Sequence, residues 1–185
     1  MPEYRIEQDE DLMSPLEWDL LGTIVCCHKN YDLGHRQGTV EEIQEIAADS
    51  NNICLPVFMI DHSGISINTT GFRHCDPQGW DWGQVGIIYA TKEKANEEFQ
   101  KLPPLPEAEL QAVVENILRS EIKTYDKYLR GEAYGYVVFE NKKCDCCGHV
   151  EEVILDSCWG FYSEEDAEKA AQEAIETTEI TNESE

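Results

Sequence analysis

The fold of this chain is set by residues 54–90, which read CLPVFMIDHSGISINTTGFRHCDPQGWDWGQVGIIYA. The apolar runs at 54–60 and 84–90 predict two strands. Ile65, Ile67 and Thr69 alternate with polar neighbours, which predicts a further strand paired with the first through the DHSG turn. A loop of about a dozen residues follows it, and loops of that length tend to be functional. We therefore expect the functional surface on this loop, held by a buried sheet.

Helix signals lie on both sides of this stretch. Thr39 with Glu42 three residues later forms a capping box that predicts a short helix. Pro106 can begin a long helix through Leu129, in which apolar residues recur at three- and four-residue spacings, and Ser163 caps a last helix. An extended connector, LPPLP at 102–106, precedes the long helix. Further strands are predicted at 3–8, 20–28, 133–140 and 150–156.

These elements predict a single α+β domain over residues 1–178. We expect a mixed, mainly antiparallel sheet of about five to seven strands. One long helix, a C-terminal helix and short helices would pack on it. Residues 179–185 are predicted to form a flexible acidic tail.

Charge is the most unusual property of the composition. The net charge is −24 with a pI near 4.4, although the hydrophobic content is an ordinary 41%. Such a surface repels nucleic acid and membranes and attracts the basic surfaces of proteins that hold phosphates. The alternative explanation is that the acidity serves solubility or life in a salty habitat. The chain has no apolar run long enough to span a membrane, and its N-terminal segment is acidic. We therefore expect a cytoplasmic protein.

The acidic residues are concentrated toward the two ends of the chain. Residues 1–19 and 163–185 together carry −14 of the net charge. The last helix should bury a face of small residues, Ala167, Ala170, Ala171, Ala174 and Ile175. Its outward residues would be Glu164, Glu165, Asp166, Glu168, Glu173 and Glu176. If the ends meet in space, this distribution favours a directed negative face.

The cysteines suggest a metal site at the tip of a hairpin. Eight cysteines without a secretory signal indicate reduced thiols, a metal site or buried side chains rather than a disulfide framework. The run CDCCGH at 144–149 resembles half of a zinc ribbon, with Cys144, Cys147 and His149 as three ligands and Cys158 or Cys146 as the fourth. A second C-x₂-C is absent, so a thiol-rich hairpin without a metal is the alternative.

The central loop has two further interpretations. Asp61, His62 and Cys75 suggest a Cys-His hydrolase in which His62 deprotonates the thiol, but no cysteine opens a helix, as such a nucleophile usually requires. The alternative is that Asp61 is a turn residue and that His62 makes hydrogen bonds to backbone groups. Trp80 and Trp82 could form a binding lip or cover one end of the core. The chain lacks a phosphate loop, a dinucleotide fingerprint and a basic patch with aromatics.

Several motifs resemble those of a largely uncharacterised family of acidic proteins encoded by bacteriophages and other bacterial mobile elements. The motifs are WDLLGTIVCCHKNYDLG (18–34), LPVFMIDHSGISINTT (55–70), GWDWGQVGIIYATKEK (79–94), YDKYLRGEAYGYVV (125–138) and DSCWGFY (156–162). Two features depart from the family pattern. DPQG at 76–79 resembles a local insertion, and the CDCCGH tip is unusual, which argues against a metal being central to the family's function.

The resemblance implies a function that the charge permits. Many accessory proteins of phages and plasmids that are this acidic resemble DNA mimics, which present carboxylates to restriction enzymes or CRISPR nucleases. We therefore expect a non-enzymatic inhibitor that occupies the basic groove of a host nucleic-acid-binding defence protein and binds no nucleic acid itself. Asp61, Trp80, Asp81 and Trp82 would add contacts to those of the outward residues of the last helix. A small hydrolase and a zinc-stabilised interaction module are the alternatives.

Overall fold

The computed structural model describes residues 2–99 and 105–182, and for 178–182 it describes the backbone only. The predicted α+β class is confirmed, but the strands form two sheets, one mixed with five strands and one antiparallel with three. The chain separates into two compact units. Unit 1 contains residues 1–13 and 131–185, and unit 2 contains residues 14–130.

Eight strands and four α-helices make up the described parts of the chain. In chain order they are β1 (Glu3–Gln8), β2 (Thr23–Cys26), β3 (Arg36–Gln37), α1 (Val40–Ala48), β4 (Asn52–Asp61), β5 (Ile65–Asn68), β6 (Trp82–Thr91), α2 (Lys92–Phe99), α3 (Glu107–Leu129), β7 (Tyr134–Lys143), β8 (Val150–Phe161) and α4 (Glu164–Asn182). No helix within these residues is both long and apolar enough to cross a membrane.

Unit 2 is built on the five-stranded sheet, in the order β3-β2-β6-β4-β5. Alternate residues of β4 are buried together with one face of α3, as the period of each element requires. The buried residues are Ile53, Leu55, Val57 and Met59 on β4 and Leu110, Val114, Leu118, Ile122 and Tyr125 on α3. The predicted pairing of β4 with β5 through the DHSG turn is confirmed.

The bounds of the helices follow the predicted signals. Thr39 Oγ1 accepts from the Glu42 amide at 3.2 Å, whereas the Glu42 carboxylate accepts from Arg36, so only half of the capping box forms. α3 begins directly after Pro106, and Gly131, with φ of +67°, follows its last turn. Most of the predicted connector at 102–106 lies outside the described residues. Of the predicted flexible tail, residues 179–182 instead continue α4, and the last three residues lie outside the described part of the chain.

Unit 1 brings the two ends of the chain together. β1 and β8 flank β7 in the three-stranded sheet, and α4 packs on one face of it. Tyr136 and Val138 of β7 are buried against Ala171, as the small inner face of α4 predicts. Gln172 of α4 donates to the Tyr4 hydroxyl of β1 at 3.4 Å. The strand predicted at 150–156 is longer than expected, since β8 continues to Phe161.

Candidate functional site

Unit 1 holds most of the negative charge of the protein. Its sequence contains twenty acidic and four basic residues, a net charge of −16, although it makes up little more than a third of the chain. Unit 2 carries the remaining −8 on a larger number of residues. Because the two terminal segments fold into one sheet, the charge that is split in sequence is concentrated in one compact body.

Two acidic segments lie at the same end of the unit 1 sheet. Gln8, the last residue of β1, pairs with Tyr134, which in turn pairs with Phe161, the last residue of β8. The segment after β1 stays at this end, since the Asp9 amide donates to the Ala133 carbonyl at 2.9 Å. The first turn of α4 starts at the same end. We call the six residues brought together in this way the acidic end: Asp9, Glu10, Asp11, Glu164, Glu165 and Asp166.

The surface of α4 matches the predicted arrangement. Ala167 and Ala171 are fully buried, so the helix is oriented with its carboxylates outward. The six acidic residues predicted to face outward are all exposed: Glu164, Glu165, Asp166, Glu168, Glu173 and Glu176. Three of them stand in the first turn, where the helix dipole favours negative charge. The acidity of this helix is therefore compatible with its stability.

In unit 2, Asp76 organises the loop between β5 and β6. Its two carboxylate oxygens accept backbone N–H bonds from four successive residues, Gln78, Gly79, Trp80 and Asp81. These bonds, above all the one from Asp81, hold the pKa of the Asp76 carboxyl below its usual value. Asp76 is not among the predicted site residues, although an aspartate followed by proline and glycine is a signal for an Asx turn.

The two tryptophans of the loop have different roles. Trp82 is half-buried, packs edge-on against Phe58 and Phe72, and donates Nε1–H to the Asp76 carbonyl at 2.8 Å. Trp80 is 81% exposed, and its Nε1–H reaches only the Gln78 side chain. Trp82 therefore covers the core, and Trp80 alone is available as a binding contact.

The polar residues before the loop form a chain of surface contacts. Asp61 accepts from the Tyr31 hydroxyl at 2.7 Å, and its amide donates to the Asp81 carbonyl at 3.0 Å. His62 Nδ1 lies 3.3 Å from Asp81 Oδ2, with both side chains exposed. Asp61, the last residue of β4, and Trp80 and Asp81 of the loop are thus exposed in unit 2, which also holds Trp82, while the predicted partner-binding residues of the last helix lie in unit 1.

The pair of groups that a cysteine hydrolase requires is not formed in the described residues. Cys75 lies in a turn, where its amide donates to the Phe72 carbonyl, and its thiol makes no hydrogen bond to His62. A cleft of about 240 Å³ in unit 2 is lined by other residues, including Cys27, Gln44 and Gln84. The geometry thus offers no assembled nucleophile and base at Asp61, His62 and Cys75.

Three cysteines converge at the tip of the β7–β8 hairpin. The strands end at the pair Lys143 and Val150, and the turn closes through bonds from the Cys144 amide to the His149 carbonyl at 2.7 Å and from the Gly148 amide to the Cys144 carbonyl. The Sγ atoms of Cys144, Cys146 and Cys147 all lie within 4.8 Å of one another, so these thiols could hold a metal ion.

The arrangement of the tip favours a thiolate at Cys144. The thiols of Cys144 and Cys146 are 2.9 Å apart. The hydrogen bond from Cys146, with further bonds from the Cys147 and Cys146 amides, lowers the pKa of Cys144 to about 6. The same thiol contact raises the pKa of Cys146. The tip therefore holds one acidic thiol with a second thiol as its donor.

The residues that cluster at the tip differ from the predicted set of metal ligands. The cluster contains Cys144, Cys146 and Cys147, and neither His149 nor Cys158 belongs to it. Cys158 pairs with Tyr136 in the middle of the sheet, eight residues along β8 from the tip, a distance of about 26 Å. Eight residues of β8 separate Cys158 from the turn, which spacing in the sequence did not reveal.

Comparison of the chain with protein-family models, curated proteins and solved structures gives no match. The resemblance to acidic phage proteins stays a prediction, and the function is inferred from the geometry and charge of the two units.

Proposed function

We propose that this protein inhibits a nucleic-acid-binding defence protein of a bacterial host, such as a restriction enzyme or CRISPR nuclease, by occupying its basic groove. The observation that carries the proposal is the concentration of charge in unit 1, with −16 in one compact body and two acidic segments at one end of its sheet. A charge spread for solubility alone would not require the two termini to converge.

The mechanism is competitive. Carboxylates of the acidic end and of the outer face of α4 replace DNA or RNA phosphates on the arginines and lysines of the partner. Their outward orientation is fixed by the buried alanines of α4, so little side-chain packing has to rearrange on binding. Most of the attraction is between exposed charges, and the complex therefore weakens steeply as salt is added.

Unit 2 contributes shape-specific contacts in this proposal. Trp80 is the exposed aromatic of a loop whose backbone is held by Asp76, and rigid aromatic side chains are favoured as anchors in interfaces. Asp61 and Asp81 flank it with exposed carboxylates. Trp80→Ala should weaken binding with little change in folding, because the side chain buries almost nothing within the described structure.

The test is DNA cleavage by a panel of purified restriction endonucleases and CRISPR nucleases, with and without the protein. We expect at least one nuclease to be inhibited at low salt, with inhibition lost as NaCl is raised. The triple variant E164Q/E165Q/D166N, which neutralises half of the acidic end, should weaken inhibition about tenfold or more, since a few charge-assisted contacts of about 1.5 kcal/mol are removed.

The matched control is E93Q/E97Q/E98Q on α2, which removes the same charge from exposed helical positions in unit 2. It should leave inhibition nearly unchanged. If both triple variants weaken inhibition equally, net charge rather than the acidic end is responsible. If no nuclease in the panel binds or is inhibited at low salt, the proposal fails.

A second candidate function is favoured by the thiols at the hairpin tip. We propose that Cys144 and Cys147 hold zinc or a similar thiophilic metal, so that the hairpin is a metal-dependent interaction module. Their C-x₂-C spacing on a tight turn with Gly148 at φ of +72° is typical of half of a structural zinc site. Elemental analysis of protein purified without chelators should find zinc in the wild type and none in C144S/C147S. Zinc-free wild type would exclude this candidate.

A further inference from the structure

The hairpin tip cannot complete a tetrahedral metal site with the described residues of one chain. A structural zinc site has four ligands, and the tip offers the three clustered thiols. Cys146 Sγ lies 2.9 Å from Cys144 Sγ, whereas two thiolates bound to one zinc ion are about 3.8 Å apart. In this arrangement Cys146 is a hydrogen-bond partner of Cys144, which leaves Cys144 and Cys147 as two ligands of four.

The tip is also open to solvent. All of residues 141–152 are exposed, including Lys142 and Lys143 on one side of the turn and His149 on the other. Nothing in the described part of unit 1 closes over the thiols, so the missing ligands have room to come from outside the chain. An identical tip supplies the two thiolates that are lacking.

We propose that the hairpin tip is one half of a metal site that a second copy of this chain completes, with Cys144 and Cys147 of each copy as the four ligands. The proposal rests on the second candidate function, a thiophilic metal at this tip. It adds the partner: another copy of the chain, joined tip to tip through one ion.

Charge favours the tip as the point of contact. Residues 141–150 carry two lysines and one carboxylate, Asp145, whereas the rest of unit 1 has a net charge of −17, and two surfaces so acidic repel each other. Two of the four cations of the unit, Lys142 and Lys143, stand next to the thiols. In the assembled site four thiolates and one divalent ion carry a charge of −2, and two copies place four lysines and two Asp145 carboxylates near it. The tip is thus the part of unit 1 where a second copy meets the least repulsion.

The experiment uses the full chain, stripped of metal and kept in a phosphine reductant so that disulfides cannot link the copies. Cobalt(II) serves as the probe, because thiolate coordination gives it a visible spectrum, and zinc then displaces it. We expect the absorbance to saturate at one ion for every two chains. Sedimentation should show the mass doubling from 21.1 kDa on addition of either metal and returning to the monomer with chelator.

Single variants separate the roles of the cysteines. C144S and C147S should each abolish the metal-dependent doubling of mass, whereas C146S should retain it, as should the control C75S at an exposed cysteine of unit 2. Saturation at one ion per chain without a change in mass would overturn the bridged site and leave the metal site itself intact. Loss of metal binding in C146S that is as complete as in C144S would also overturn the bridged site, because Cys146 would then be a ligand.

Two other outcomes also decide against the proposal. If neither metal binds, the bridged site and the metal-dependent module fail together, while the nuclease-inhibition proposal is untouched. If the doubled mass persists in chelator or in C144S/C147S, the copies associate through another surface.

Discussion

At the scale of single residues, several carboxylates of unit 2 accept backbone N–H bonds, although Asp126 also lies 3.7 Å from the guanidinium of Arg130. Glu121 of α3 accepts from the Leu21 and Gly22 amides at 2.8 and 2.9 Å, and Asp126 accepts from the Ile67 amide and the Ser66 hydroxyl. Burial raises the pKa of Glu121, although the two N–H bonds partly oppose it. α3 is therefore fixed to β5 and to the segment just before β2 by polar contacts as well as by its apolar face.

His35 predicts a pH dependence of stability. Its Nδ1 accepts from the Ile24 amide at 3.0 Å, so the bond requires the neutral ring. Burial and then the charge of Lys94 lower the pKa of His35 below its ordinary 6.5. Since the unfolded chain takes up the proton first, stability should be complete above pH 6.5 and fall as the pH is lowered through the folded-state pKa.

The measurement is the free energy of unfolding in denaturant at several pH values between 7.5 and 5.5, for the wild type and His35→Asn. Asparagine keeps an acceptor at the position of Nδ1 but does not titrate. The wild type should lose stability relative to the variant as the pH falls. A difference between the two proteins that is constant across the range would contradict the role given to His35.

At the scale of elements, the approach of β6 to β2 depends on a glycine. A Cβ atom at Gly86 would lie 2.2 Å from the Val25 carbonyl oxygen and 2.9 Å from the Cys26 Cα, and neither backbone atom can move away independently of its strand. Gly86→Ala should therefore destabilise unit 2 by about 1–3 kcal/mol, the cost typical of overpacking.

Gly83 in the same strand is the matched control for this prediction. A Cβ atom there meets nothing within 4 Å, and its backbone does not need positive φ. Gly83→Ala should change the free energy of unfolding by no more than about 0.5 kcal/mol. Equal effects of the two substitutions, measured by urea unfolding, would show that strand propensity rather than the close approach determines the cost.

At the scale of the whole molecule, self-repulsion should limit stability. With −24 on one chain, raising NaCl from about 0.01 M to about 0.1 M shortens the Debye length from about 30 Å to about 10 Å and should raise the melting temperature. At low salt the triple variant E168Q/E173Q/E176Q on α4 should also raise the melting temperature. The increase should be larger than that caused by E93Q/E97Q/E98Q on α2, because unit 1 is the more acidic body.

Calorimetry at the two salt concentrations checks this expectation. The gain from the α4 substitutions should shrink at the higher salt, where the repulsion that they relieve is already screened. A melting temperature that falls on addition of salt would mean that attractive surface pairs, such as Arg5 with Glu152, outweigh the repulsion.

Much of the local structure was determined by the sequence alone. The caps at Thr39 and Ser163, the long apolar face of α3 and the alternation in β4 and β5 each depend on residues close in the chain, so their periods and capping chemistry predict them. The same holds for the inner face of α4, whose small residues recur at helical spacing. The acidity of both termini was likewise visible without a structure.

The tertiary structure decided how those parts combine. The pairing of β1 with β7 and the meeting of the acidic termini depend on contacts between residues more than a hundred positions apart, and the division of the strands between two sheets depends on which strands pair. The ligand set at the tip also changed, because the geometry of the turn brings Cys146 to Cys144 and the register of β8 with β7 carries Cys158 away. Periodicity and spacing report on neighbours in the chain, whereas register and burial are set by long-range packing.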